Sequence, residues 1–362
     1  MSDEDEAKTV PLPRENPDLV GHEGAEQALL AAWHSGRMPH AWLLAGPRGI
    51  GKATLAFRMA RFVLAAEEGG LFGPAETDLS LPADHSVFRR VARGAHPDLQ
   101  IGEPSWNEKK KCFRTEITVH ETRALGDFLH LTPAEGGWRV VVVDSADDMN
   151  RNAANALLKV LEEPPARALL LLVSHAPGRL LPTIRSRCRR LDLKALPEAT
   201  VASLLRRHRP DLNQTDAALL ARLAGGSIGR AIELGGKDGA DLFREVAALL
   251  LELPRLDGLA LHRLGDRLGR AGGDGAFRTA AEFLSWWLAR LVRAGSVGQV
   301  PDEVLPGEEA CIRRLLSARR LDQWLELWDK VTRLLARTES ANLDRKQVWV
   351  AAMLDIAGHA RA

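Results

Sequence analysis

The sequence has few cysteines and no long apolar run. Its three cysteines, Cys112, Cys188 and Cys311, lie far apart among 362 residues and form no Cys-X-X-Cys pair. This spacing argues against a disulfide framework or a structural zinc site and is typical of a cytosolic protein with reduced thiols. No stretch of about 18 apolar residues is present, so we predict no membrane span and a cytoplasmic protein. The first residues are acidic and lack the features of a signal peptide, so we expect a solvated tail there.

The sequence also lacks a net charge of either sign. Its 49 lysines and arginines balance 48 aspartates and glutamates, which gives a formal net charge of +1. A basic field over the whole molecule is therefore absent, and any contact with nucleic acid must come from a local patch or from backbone amides. The remaining composition, with 45% hydrophobic and 27% charged residues, is that of an ordinary globular protein. The length predicts two or three domains.

Short apolar runs alternate with helical patterns over the first half of the chain. Ala41–Ala45, Val140–Val143 and Leu169–Val173 are predicted to be buried strands of a parallel sheet. The spacing of apolar residues predicts one helix from Gly51 onward and another over Asn152–Glu163. Strands and helices in alternation predict an α/β domain with three layers.

The C-terminal part of the chain is predicted to be all-helical, because strand-like runs disappear after about Leu196. Two stripes of large apolar residues follow helical spacing there: Phe283, Trp287 and Leu291, and Trp324, Trp328, Val331 and Leu335. Tryptophan stripes can stack on nucleic-acid bases, but this spacing favours the core of a packed helical domain.

The strongest functional pattern is a P-loop, Gly-Pro-Arg-Gly-Ile-Gly-Lys-Ala-Thr, which starts at Gly46 and lies between a predicted strand and a predicted helix. Gly46, Gly49 and Gly51 allow consecutive backbone amides to face phosphate groups. Lys52 can reach the β- and γ-phosphates above the N-terminus of the helix. A glycine-rich turn with a chance lysine is the alternative, and the strand-to-helix context disfavours it. We therefore predict a nucleotide-binding P-loop.

Two residues that ATP hydrolysis normally requires are missing. Ala53 stands where a serine or threonine would ligate Mg²⁺, and Thr54 lies one residue late, about 100° further round the helix. Asp144 ends an apolar strand and can hold Mg²⁺ through water, but Ser145 replaces the glutamate that would orient the attacking water. The pattern indicates binding of ATP or ADP, weak at most, with an uncertain role for Mg²⁺.

Five arginines lie between Arg179 and Arg190, just after the predicted strand that Ser174 follows. An arginine cluster is usually a solvated surface. Oligomeric P-loop ATPases, however, place an arginine at this point of the fold and aim it at the γ-phosphate of the neighbouring subunit. The cluster is therefore a candidate source of an arginine finger acting in trans.

Further motifs follow one another along the chain. They are Arg37-Met-Pro-His40-Ala-Trp-Leu, His96-Pro-Asp98, the stretch from Asn152 to Pro165, Ser186-Arg187-Cys188, Gly226-Ser-Ile-Gly-Arg230-Ala and Asn342-Leu-Asp-Arg-Lys-Gln347. Together with the P-loop they resemble the bacterial clamp-loader subunits of the AAA+ class over nearly the whole chain. Within that class the chain is most similar to the delta-prime subunits of DNA polymerase III.

The resemblance implies a domain plan. It places a flexible lead-in at 1–16, an AAA+ P-loop domain at 17–195 with an insertion at 67–104, a helical lid at 196–240 and a helical collar for oligomerisation at 241–362. It also implies that Arg230 is a sensor arginine and that Ser174 and Arg230 lie beside the nucleotide. The family often carries a four-cysteine zinc module after the P-loop helix, but the corresponding stretch from Ala65 to Ala95 has no cysteine, so we expect no zinc.

The function implied by the resemblance is a fixed stator subunit that donates Arg187 and hydrolyses little or no ATP itself. It belongs to a DNA-directed DNA polymerase holoenzyme, a nucleotidyltransferase complex. Its implied partners are gamma/tau-type motor subunits, a delta-type subunit and, through the complex, the sliding clamp and primed DNA. One alternative is an active gamma/tau-type motor ATPase in which Thr54 supplies the missing hydroxyl. A DNA-binding protein in its own right is a weaker alternative, which the near-neutral charge disfavours.

Overall fold

The computed structural model describes residues 10–66, 77–107, 112–236, 238–270, 272–300 and 302–361. The chain forms two compact units. Met1–Pro210 and Gly225–Arg230 make up the first, and Asp211–Ala224 and Ala231–Ala362 make up the second. The segment 196–240, predicted to be a lid, is thus divided between the two units.

The first unit is built on a parallel sheet. Its strands are β1 (Ala41–Ala45), β2 (Leu99–Gly102), β3 (Trp106–Asn107), β4 (Cys112–Phe113), β5 (Arg139–Val143), β6 (Ala168–Ser174) and β7 (Arg189–Asp192). Its helices are α1 (Glu23–His34), α2 (Lys52–Ala65), α3 (Ser86–Ala92), α4 (Val119–His130), α5 (Arg151–Glu162), α6 (Pro182–Arg185) and α7 (Glu198–His208). Five strands pair in the order β2-β5-β6-β1-β7, all parallel, and β3 and β4 form a separate antiparallel pair.

Helices cover both faces of this sheet, which confirms the predicted three-layer α/β fold. Alternate residues of β1, β5 and β6 point to opposite faces. Trp42 and Leu44 pack with apolar residues of α1, α2 and α3, whereas Ala41 and Leu43 pack with those of α4 and α5. Such two-sided burial explains why the central strands are continuous apolar runs.

Local sequence signals set several element boundaries in this unit. The helix α4 begins with a capping box, in which Thr118 and Glu121 satisfy each other's backbone amides. Asn150 caps α5 by accepting a hydrogen bond from the amide of Ala153. The end of the predicted flexible lead-in contacts the rest of the first unit: the buried Arg61 of α2 donates to the carbonyls of Arg14 and Asn16.

The second unit is helical in the residues that the structure describes. Its helices are α8 (Gln214–Leu223), the end of α9 (Ile228–Leu234), α10 (Gly239–Leu251), α11 (Gly258–Gly269), α12 (Asp274–Val297), α13 (Glu308–Ala318), α14 (Leu321–Ser340) and α15 (Arg345–Ala360). The aromatic stripes lie in its core: Phe283, Trp287 and Trp324 are all at most 2% exposed. The packed-core interpretation of the stripes is thus confirmed for these residues. No helix in the described ranges is long and apolar enough to cross a membrane.

Two strands of the sheet were not predicted. The strand β2 lies within the stretch interpreted as an insertion, whose residues 67–76 fall outside the described part of the chain. The strand β7 lies within the arginine-rich segment and pairs with β1 at the edge of the sheet. The helix α3 also lies within this stretch.

Candidate functional site

The carboxyl ends of the central strands bring three predicted site segments together. In the parallel register Ala45 at the end of β1 is paired with Ser174 at the end of β6. The amide of Gly46 then donates to the carbonyl of Ser174 over 3.3 Å. Asp144 follows β5 on the other side of β6. The P-loop, Asp144 and Ser174 therefore share one edge of the sheet, as the sequence predicts for a nucleotide site.

The P-loop has the backbone conformation that a phosphate cradle needs. Gly49 and Gly51 have φ angles of +73° and +110°, which residues with a side chain rarely adopt. Gly51 precedes the first residue of α2, so the N-terminus of that helix lies at the end of the loop. The ring of His22, which the sequence did not single out, contacts this loop through its Nε2, 2.7 Å from the carbonyl oxygen of Ile50.

Lys52 is turned into its own loop. The residue is only 2% exposed. Its Nζ donates to the carbonyl of Gly46 over 2.7 Å and also to that of Pro47. Burial lowers the pKa of Lys52 to about 8, and the nearby carboxylates of Asp144 and Asp147 partly offset that effect. The ammonium group is thus bonded to the cradle rather than presented to the space above it.

Asp144 is a half-buried carboxylate of the site. Burial raises its pKa, and the charge of Lys52 opposes this rise. The next residue, Ser145, is 4% exposed, and its Oγ has no hydrogen-bond partner among the described residues. A serine hydroxyl buried here supplies no carboxylate for orienting a water molecule, in keeping with the sequence prediction.

Asp147 joins the ends of β5 and β6, a role that sequence reasoning did not assign. Its Oδ1 accepts hydrogen bonds from Ser174 Oγ over 2.9 Å and from the amide of Ala176 over 3.2 Å. Its Oδ2 accepts from the amide of His175. Burial and Lys52 both lower the pKa of His175, which favours a neutral imidazole beside the cradle. Ser174 is thereby held as part of the site rather than left as a free hydroxyl.

Ala53 and Thr54 follow Lys52 in the first turn of α2. Ala53 offers no ligand for a metal. Thr54 lines a cavity of about 60 Å³ that includes Ile50 and Gly51 of the P-loop, together with residues of the N-terminal segment and of α7. Those include Asn16, Asp18, Leu19, Val20, Leu204, Arg207 and His208. Among the described residues, no group of three His, Cys, Asp or Glu side chains is arranged to hold a metal ion.

The segment at 225–230 packs directly on the P-loop. The amide of Gly229 donates to the carbonyl of Gly49 over 2.8 Å, and Ser227 Oγ accepts from the amide of Arg230 over 3.1 Å. A Cβ atom placed on Gly49 would lie 2.4 Å from Ser227 Oγ. Arg230, the predicted sensor, therefore follows directly after a residue bonded to the cradle.

Arg187 lies with α5 and α6 rather than with the P-loop of its own chain. Its Nη2 forms an ion pair with Glu162 Oε1 at 2.8 Å, and its Nη1 donates to the carbonyl of Thr183 over 3.1 Å. Its neighbours Ile184 and Cys188 are buried in the core, and burial raises the pKa of the Cys188 thiol to about 12. Arg187 is thus half-buried and lies between two buried residues, Ile184 and Cys188.

Two other arginines of the cluster are engaged elsewhere. The guanidinium of Arg189 lies over the Trp42 ring, 5.0 Å from its centroid. Arg190 forms an ion pair with Asp192 at 2.7 Å. Arg187 differs from them in that its partner is a carboxylate of the helix α5.

Comparisons with known proteins agree with the family indicated by the motifs. Residues 21–197 match the family model described as "DNA polymerase III, delta subunit". The chain is 39% identical over 198 residues to subunit delta' of DNA polymerase III from Pseudomonas aeruginosa. The aligned residues cover 55% of this chain and 56% of that protein. It is 32% identical over 218 residues to the Bacillus subtilis subunit delta', with 60% and 59% covered.

A tau subunit is also similar. The chain is 33% identical over 251 residues to DNA polymerase III subunit tau of Escherichia coli, which covers 66% of this chain and 36% of that protein. The chain thus spans little more than half the length of the delta' relatives and about a third of tau. Over the matched part of its length, the chain is thus similar to bacterial DNA polymerase III delta' and tau subunits.

Proposed function

We propose that this protein is a delta-prime-like stator of a bacterial DNA polymerase III clamp loader and donates Arg187 to the nucleotide site of a neighbouring subunit. In this role it helps to load the sliding clamp onto primed DNA during replication. Its partners are gamma/tau-type motor subunits and a delta-type subunit, and it reaches the clamp and DNA through the complex. It hydrolyses little or no ATP itself.

The state of Lys52 is the observation that carries this proposal. A lysine that serves its own nucleotide must offer its ammonium group to the phosphates. Here that group is buried and bonded to two carbonyls of the loop. Ala53 supplies no metal ligand and Ser145 no carboxylate, so two further requirements of hydrolysis are unmet by the side chains beside it.

The residues of the cradle still fit the phosphates of ATP or ADP. The loop conformation, the N-terminus of α2 and the positive charge of Lys52 all favour an anion. A nucleotide bound here would bring its own negative charge to Lys52 and to Arg230. The chain would contribute binding and orientation, while the missing metal ligand and water-orienting carboxylate limit hydrolysis.

Arg187 provides the chemistry that the P-loop lacks. In phosphoryl transfer negative charge spreads over the oxygens of the γ-phosphoryl group, and a guanidinium supplied by a neighbouring subunit stabilises it. Such a finger is worth on the order of 10³–10⁵ in rate where it has been measured. The partial exposure of Arg187 and its anchored backbone support its use outside its own chain.

The second candidate is an active motor subunit of the gamma/tau type, favoured by the similarity to tau. It requires Thr54 to replace the missing metal ligand. Thr54 lies one residue beyond the position of that ligand and lines a cavity that P-loop residues share with the N-terminal segment. We therefore favour the stator.

ATP turnover by the purified chain, alone and mixed with its motor partner, tests the proposal. We expect turnover near background for the chain alone and stimulated turnover for the mixture. Arg187→Ala should leave assembly intact and reduce the stimulated turnover, whereas Arg185→Ala, an exposed arginine two residues earlier, should leave it unchanged. Vigorous turnover by the chain alone, abolished by Lys52→Ala, would instead establish the motor function.

A further inference from the structure

We infer that Glu162 is a positioning residue for Arg187: its carboxylate holds the guanidinium on its own chain until a phosphate of the neighbouring subunit replaces it. The inference rests on the proposed role of Arg187 as a finger. It also gives a function to the Glu-Glu-Pro-Pro end of the helix α5, for which the sequence suggested none.

The guanidinium of Arg187 is fixed at two of its nitrogens. Nη2 is 2.8 Å from Glu162 Oε1, and Nη1 donates to the carbonyl of Thr183 over 3.1 Å. Because a guanidinium is planar, two contacts at different nitrogens define both its position and its orientation. One contact comes from the last residue of α5 and the other from α6, so the side chain bridges two helices.

Release of this side chain does not require the backbone to move. Ile184 is fully buried and Cys188 is 9% exposed, both in the core cluster beneath the sheet. The amide of Arg187 also donates to the carbonyl of Ile184 over 3.1 Å. The side chain alone can therefore exchange one anion for another.

Glu162 occupies a position that is unfavourable for a carboxylate by itself. It is the last residue of α5, where the helix dipole disfavours negative charge. Arg187 places a positive charge there and offsets this effect. The pair is nevertheless half exposed, with Glu162 51% and Arg187 35% accessible. Exposed ion pairs are weak. The contact with Glu162 can therefore hold the Arg187 side chain in the free chain and still be replaced by a multiply charged phosphate in an interface that excludes water, where electrostatic attraction is stronger.

This exchange predicts a gain of activity when the carboxylate is neutralised. In the complex of this chain with its motor partner, Glu162→Gln should raise the stimulated kcat/KM for ATP by up to about fivefold, the range expected for loss of an exposed ion pair. The increase should shrink as salt is added, because screening weakens the pair in the unchanged protein. A variant that merely damages folding would lower the rate, so an increase cannot arise in that way.

Glu163→Gln is the matched control. It removes the same charge one residue later, from a residue for which the described structure shows no contact with Arg187, and it should leave the rate unchanged. An unchanged or lower rate for Glu162→Gln overturns the inference, and so does an equal increase for both variants. Arg187→Ala is measured in parallel. If it has no effect, the proposed function fails; if it lowers the rate and Glu162→Gln does not raise it, only the role of Glu162 fails.

Discussion

Gly49 and Gly229 meet backbone to backbone: the amide of Gly229 donates to the carbonyl of Gly49 over 2.8 Å, and a Cβ atom on either residue would approach the Cα of the other to within 3.1 Å. Neither position has room for a side chain. The contact fixes the P-loop against the segment that carries Arg230, so the cradle and the predicted sensor form one packed structure.

The substitution Gly49→Ala should lower the free energy of unfolding of the first unit by more than the backbone strain of an alanine with a positive φ. Its φ of +73° costs about 1–2 kcal/mol for alanine, and the crowding against Ser227 and Gly229 adds about 1–3 kcal/mol. Gly136→Ala is the control, because Gly136 has a φ of +81° and nothing within 4 Å of its added Cβ. Chemical unfolding of both variants measures the difference, and equal losses would contradict the packing role.

Asp147→Ala should destabilise the chain by about 2–4 kcal/mol, because it leaves the buried Ser174 hydroxyl and the amides of His175 and Ala176 without their acceptor. Asp148→Ala changes the exposed neighbouring carboxylate and should cost within about 0.5 kcal/mol. Unfolding midpoints compare the two. Similar midpoints would show that Asp147 does not hold the strand ends together.

Ala53→Ser should restore a metal ligand without restoring hydrolysis. The new hydroxyl lies in the first turn of α2, so we expect nucleotide affinity to rise several-fold in the presence of Mg²⁺ and not in its absence. Turnover should stay near background because Ser145 is unchanged. Thr54→Ala is the control and should leave the Mg²⁺ dependence as it was. Affinity titrations with and without Mg²⁺ decide the matter, and a vigorous ATPase from Ala53→Ser would refute the assignment of Ser145.

Nucleotide binding should weaken as the pH rises above about 8. The pKa of Lys52 is lowered to about 8 in the free chain, and bound phosphates raise it again, so binding above this pH requires uptake of a proton. The affinity should be flat below pH 8 and fall by at most about tenfold per pH unit above it. Lys52→Arg keeps its charge and should show no such fall. An equal decline in affinity for the unchanged protein and for Lys52→Arg would exclude Lys52 as its cause.

The sequence predicts the central part of the sheet because burial on both faces makes the strands continuous apolar runs. Asp144, Ser174 and the P-loop come together as predicted, since parallel strands deliver them to one edge. The strand β7 escaped prediction because its residues, Arg-Arg-Leu-Asp, lie at the sheet edge and are mostly exposed. The strand β2 was hidden in a proline- and glycine-rich stretch for a similar reason: only its ends are buried.

Contacts between distant segments were beyond the reach of pattern reasoning. The direction of the Lys52 ammonium depends on which carbonyls the folded loop turns inward. The pairing of Arg187 with Glu162 depends on how α5 and α6 pack, and residue spacing does not encode that. The same holds for Gly229, whose role appears only once its segment lies on the P-loop.

The strand order has a consequence for how the protein is made. In the described sheet the strand that leads into the P-loop, β1, pairs only with β6 and β7, both of which come much later in the chain. During synthesis from the N-terminus, the P-loop strand has no partner until residues 168–174 have emerged from the ribosome. Nonlocal pairing of this kind is slow to form and leaves an apolar strand waiting unpaired. Until then, Ala41–Ala45 lacks both strand partners that it has in the folded sheet.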